Sequence, residues 1–90
     1  MGGAARMRPK RLAEKLLQIR LALGLSQTEM LRRLGFEGVV AYHRISNYEL
    51  GTGEPSLIIL LAYARVAGVH MEDLVDDEVD LPAKLPARRK

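Results

Sequence analysis

The sequence predicts an all-α fold, a compact domain of five helices joined by short loops. Three observations carry this. Apolar residues recur every three or four positions through most of the chain, the spacing of one helical face. Glycine follows each of the first four runs, where a helix would stop. No segment alternates apolar and polar residues as a half-buried strand does, and no stretch repeats another.

The first helix is marked by Leu12, Leu16, Ile19 and Leu23, with Gly24 as its stop. Ser26-Gln27-Thr28-Glu29 opens the second. Ser26 can accept from the first free amides while Glu29 reaches back, which is a capping box. Met30, Leu31 and Leu34 face inward, and Gly35 ends the run. The third helix is expected to start near Gly38 or Val39 and to run to about Leu50, with Ala41, Ile45 and Tyr48 as its inner stripe. Gly51 stops it. Glu54-Pro55-Ser56 opens a strongly apolar fourth helix, Leu57 to Ala67, stopped by Gly68. A short fifth helix holds Met71, Leu74 and Val75. The chain therefore divides into a flexible basic arm (1–9), one domain (10–76) and a loose tail, acidic then basic (77–90).

Ninety residues, 48% of them hydrophobic and 28% charged, suffice for one domain with a modest core. With no Cys there is neither a disulfide framework nor a thiolate metal site, so the cytoplasm is the expected compartment. The longest apolar stretch, Leu57 to Ala64, is too short to span a bilayer. The opening residues lack the apolar core of a signal peptide, and Arg6 stands where a myristoylation signal needs Ser or Thr. The net charge of +3 is unevenly spread: nine Lys or Arg lie between Met1 and Arg44 against three Glu, whereas six acidic residues crowd Glu72 to Asp80. Such a balance suits a protein that turns one face to a polyanion. His70 and the acidic run suit helix capping and a solvated linker better than a metal site, and no cofactor is implied.

Gly24-Leu25-Ser26-Gln27, preceded by Leu16 and Ile19-Arg20, then Leu34-Gly35, Ile45-Ser46, Glu49, Gly51, Pro55-Ser56-Leu57 and Gly68-Val69, form an ordered set. In it the chain resembles the lambda-repressor-like, or XRE-type, helix-turn-helix family, from Leu12 to Val75. The resemblance implies that the third helix lies in the DNA major groove. Its outward residues Tyr42, His43, Ser46 and Asn47 would then meet base edges, Asn47 pairing with adenine and Tyr42 offering its ring to a thymine methyl. Phosphate contacts are expected from Gln27, from Arg44 at the flank, and from the amides of Gly51, Thr52 and Gly53. The basic arm would add Arg6, Arg8, Lys10 and Arg11. Arg20 and Glu49 match a family pair that bonds internally, so both are read as structural.

Two departures from the family pattern stand out. Four extra residues, about Glu37 to Val40, lengthen the turn before the third helix, and Leu31 replaces a small residue where the paired helices pass closely. The fourth helix also carries apolar Ile58, Ile59 and Ala62 at positions often polar in relatives. Together with Met71, Leu74 and Val75 they are expected to form a dimer or partner surface.

The expected function is a sequence-specific DNA-binding transcriptional regulator, a repressor that binds a palindromic operator as a homodimer. The competing reading is an antitoxin or adaptor that chiefly binds another protein. An enzyme is disfavoured, because Tyr, His, Arg and Ser on one exposed helix lack a cleft, an orienting acid and an oxyanion site.

Overall fold

The computed structural model describes residues 7–86. Its five helices are α1 (Leu12–Leu23), α2 (Gln27–Leu34), α3 (His43–Leu50), α4 (Leu57–Ala67) and α5 (Met71–Val75). α1 packs on α3, α4 and α5, while α2 packs on α3 and α4. One core results, built from Leu16 and Ile19 of α1, Met30 of α2, Ile45 of α3, Tyr63 and Ala67 of α4, and Leu74 of α5. No described helix is long and apolar enough to cross a membrane.

Local chemistry sets most boundaries. The Ser26–Glu29 capping box is formed in full: Ser26 Oγ accepts from the Glu29 amide at 3.1 Å, and Glu29 Oε1 accepts from the Ser26 amide at 2.8 Å. These contacts, the backbone bond first, hold the Glu29 carboxyl below its ordinary pKa. Ser26 and Ser56 cap α2 and α4, and α1 to α4 end at Gly24, Gly35, Gly51 and Gly68.

The third helix starts later than its sequence suggests. Residues 36–40 form hydrogen-bonded turns instead of helix: the Phe36 carbonyl accepts from the amides of Val39 (2.9 Å) and Val40 (3.0 Å). Gly38 sits at φ 84°, a conformation costly for any residue with a Cβ. Ala41, expected in the inner stripe, is accordingly exposed ahead of the helix, and Ile45 and Tyr48 alone are its buried residues.

Both ends of the domain are tied together by polar groups far apart in sequence. Lys15 is fully buried, and its Nζ donates to the carbonyls of Asp73 and Asp76, both at 2.8 Å. A cation thereby meets the carboxyl end of α5, where the helix dipole is negative. The Asp77 carboxylate in turn accepts from the amides of Lys10 (2.9 Å) and Arg11 (3.0 Å), at the amino end of α1. Arg11 also bonds Glu14, the Asp77 carbonyl and Asp80. Residues 77–81, part of a tail expected to be loose, are anchored by these bonds and by Leu81, which is buried in the core. Helix α5 is too short to bury much alone, so the following segment closes the end of the core.

Candidate nucleic-acid interface

Helix α3 presents two faces because its inner residues, Ile45 and Tyr48, are three apart and lie on one side. On the other side His43 is exposed, while Ser46 and Asn47 are half-buried; Tyr42, just ahead of the helix, is exposed as well. These are polar groups with hydrogen-bonding capacity suited to base edges. Arg44 is exposed beside them.

What orients this face is a carboxylate on the helix itself. Glu49 accepts from Arg20 Nε at 2.7 Å and Nη2 at 3.0 Å, a two-pronged bond from α1 to α3. Gln27 Nε2 of α2 joins the same carboxylate at 3.1 Å. The Glu49 side chain is only 5% exposed and that of Arg20 16%, so the pair works in a poorly hydrated setting. Hydrogen bonding to Glu49 holds the Arg20 guanidinium above its ordinary pKa. A third donor, Arg20 Nη1, bonds the Leu25 carbonyl at 3.0 Å in the loop between α1 and α2. Three helices thus converge on one ion pair. Beneath it, Tyr63 is fully buried, and its hydroxyl is without a hydrogen-bond partner among the described residues. Burial, with the nearby Glu49 charge second, pushes that phenol well above its usual pKa.

The carboxyl end of α3 is organised differently from the expected anion cradle. The Thr52 amide donates to the Asn47 carbonyl at 3.0 Å and the Gly53 amide to the same oxygen at 3.2 Å, while Gly51 donates to Tyr48. These amides satisfy the last carbonyls of the helix, groups that otherwise lack intrahelical donors. They are therefore turned toward α3 and are removed from the phosphate set. Their role is to shape the surroundings of Asn47. Thr52 Oγ1 lies 3.4 Å from Asn47 Oδ1, and a Cβ added at Gly53 would stand 3.3 Å from the Asn47 Cβ.

The basic residues divide as well. Arg11, expected at a phosphate, directs three of its five donors inside the domain, to Glu14, Asp80 and the Asp77 carbonyl. Arg8 lies 3.7 Å from Glu54 with its side chain 45% exposed, and Lys10 is exposed. Arg6 lies outside the described residues. Sequence reasoning did not identify Lys15, whose position on α1 next to Leu16 is apolar in surroundings but cationic in type.

The expected apolar surface on α4 and α5 is smaller than anticipated. Ile59 (8% exposed) and Leu74 (0%) belong to the core and are corrected accordingly. Ile58 remains, 64% exposed, with Leu57 beside it at 73%. Ala62 and Met71 are half-buried and Val75 is exposed.

Residues 16–74, more than half of the chain, match a family model described as helix-turn-helix. No curated protein and no solved structure matches the chain.

Proposed function

Because the chain belongs to the helix-turn-helix family, in its XRE or lambda-repressor-like branch, we propose that it is a sequence-specific repressor that reads a palindromic operator as a homodimer. The observation that carries this reading is the outward face of α3, with Tyr42, His43, Ser46 and Asn47 held at a defined angle by the Glu49–Arg20–Gln27 cluster. A DNA-binding regulator of this type needs rigid presentation of its recognition helix, since a bidentate base contact tolerates little misplacement. Gln27, at the amino end of α2, and Arg44 supply phosphate contacts, and the exposed Arg8 and Lys10 add affinity without sequence preference. The protein acts in the cytoplasm, on the nucleoid.

Leu57 and Ile58, exposed side by side at the start of α4, support the homodimer, and the half-buried Ala62, four residues after Ile58, extends the patch along the helix. The same patch favours the second reading, an antitoxin or adaptor in which another protein occupies it.

Selection of bound sites from random duplexes tests the DNA reading. In the selected site, Asn47→Ala and His43→Ala should each weaken binding by about 1–3 kcal/mol and leave non-specific binding nearly intact. Equal weakening on all sequences would reassign those residues to the phosphate backbone. Sedimentation of the wild type and of Ile58→Lys tests the dimer: a wild-type dimer that becomes a folded monomer supports it. A monomer that captures a different protein through Leu57 and Ile58 supports the adaptor.

A further inference from the structure

The connection between α2 and α3 runs from Gly35 to Tyr42, eight residues, and it is built as a rigid ridge. Its base is fixed twice. The Phe36 amide donates to the Leu31 carbonyl at 3.2 Å, and Arg32 holds Glu37 through two bonds of 3.2 Å. Phe36 and Val40 pack against the core. A backbone bridge between Glu37 and Val40 closes the tip around Gly38. With its neighbour Val40 turned inward, Val39 is left 77% exposed, and Tyr42 at the start of α3 is 68% exposed.

Two grooves join the ridge to the expected recognition surface. Val39, Ala41 and Tyr42 line one groove with Thr28, the residue next to Gln27 at the amino end of α2. On its other flank Val39 and Ala41 line a second groove with His43 and Arg44. Val39 therefore stands between the amino ends of the two paired helices, continuous with the face that Tyr42 and His43 present. A β-branched apolar side chain held rigidly at that place is poorly suited to water and to phosphate. It is well suited to the one apolar feature of the major groove, the thymine 5-methyl group.

We propose that this loop is a second reading element, in which Val39 packs on a thymine methyl adjacent to the bases met by Tyr42 and His43. The inference rests on the DNA-binding reading above and adds to it a preference for thymine, imposed by a residue outside the recognition helix. Because the loop is already ordered by its own hydrogen bonds, little conformational freedom is lost when it docks.

The test uses the full chain and a random duplex library, with wild type and Val39→Ser selected in parallel. In the wild-type consensus each thymine is then replaced singly by deoxyuridine, which removes only the methyl group. At one or two positions next to the bases read by α3, wild type should lose about fourfold in affinity, the worth of burying one methyl. Val39→Ser should bind the thymine and uracil duplexes alike there and select that position without thymine preference, while its Asn47-dependent positions persist. Val39 is exposed, so the serine variant should unfold at the wild-type urea midpoint. A Val39→Ser protein that keeps the full thymine preference, or a wild type indifferent to uracil at every position, overturns the proposal while leaving α3 as the reader. A wild type that enriches no sequence overturns the DNA reading itself, and this inference with it.

Discussion

Replacing Glu49 by alanine tests whether the recognition helix is held by an ion pair or merely adorned by one. The change removes the acceptor for Arg20 Nε, Arg20 Nη2 and Gln27 Nε2 at once. It leaves the Arg20 guanidinium, 16% exposed, without its carboxylate. Breaking a buried pair by removing one partner costs roughly 3–5 kcal/mol, because the surviving charge stays desolvated. Arg20 retains its bond to the Leu25 carbonyl and some access to water, which places the expected loss near the bottom of that range, about 3 kcal/mol. In a domain of this size that corresponds to a fall in Tm of roughly 12–24 °C. Urea unfolding at neutral pH, followed by circular dichroism, measures the loss directly. A double-mutant cycle with Arg20→Met should show coupling of at least ~1 kcal/mol, the pair together costing less than the sum of the singles. Folded Glu49→Ala protein should also bind its selected site less tightly, because α3 is no longer tied to α1 and α2. A loss under ~1 kcal/mol, with additive singles, would place the pair among solvent-screened surface contacts and refute the argument.

Lys15→Met keeps most of the length of the side chain but takes the ammonium donor from the Asp73 carbonyl and leaves the Asp76 carbonyl with the Val79 amide alone, so unfolding free energy should fall by about 1–3 kcal/mol; a loss below ~0.5 kcal/mol would mean that packing of the methylenes is all that Lys15 supplies. Tyr63→Phe removes a buried hydroxyl that has no partner among the described residues, and chemical denaturation should show a neutral or stabilised protein, since an unsatisfied polar group carries a desolvation penalty. Destabilisation beyond ~1 kcal/mol would show that the hydroxyl is bonded. The carboxyls of Glu29, Glu37 and Asp77 are all held below their ordinary pKa, by the Ser26 amide, by Arg32, and by the amides of Lys10 and Arg11 respectively. A folded-state value below the unfolded one contributes stability above the unfolded pKa and loses it as pH falls through the folded value. Thermal midpoints should therefore hold from neutral pH to about 5 and drop below about 4, and Asp77→Asn should make that drop shallower; an unchanged acid limb would exclude Asp77 from it.

Where the relevant partners are close in sequence, the fold was legible before any coordinates. The Ser26–Glu29 cap, the glycine stops and the apolar stripes of α1 and α2 depend on residues within one or two turns of each other, and helical periodicity exposes them. The start of α3 was misplaced for the same reason. Residues 38–42 contain Val39, Val40 and Ala41, which read equally well as helix, and the Phe36 carbonyl that captures the two valine amides into turns leaves no mark on periodicity. The later start leaves the phase of α3 unchanged, because its inner face is set by Ile45 and Tyr48.

Periodicity along the chain could specify which residues share a helical face, since that follows from the pitch of a helix alone. It could not specify what each face meets. Ile58 and Ile59 are neighbours of one chemical type, yet one is exposed and the other lies in the core, because the rotation of α4 is set by the helices packed around it. Lys15 is buried where its own helix would suggest an aliphatic residue, because α5 and the segment after it bring carbonyls within reach of its ammonium group. The amides of Gly51, Thr52 and Gly53 turned inward because α3 needed donors at its end. Each of these outcomes rests on groups brought together from distant parts of the chain, or on a backbone direction, and neither is encoded in spacing.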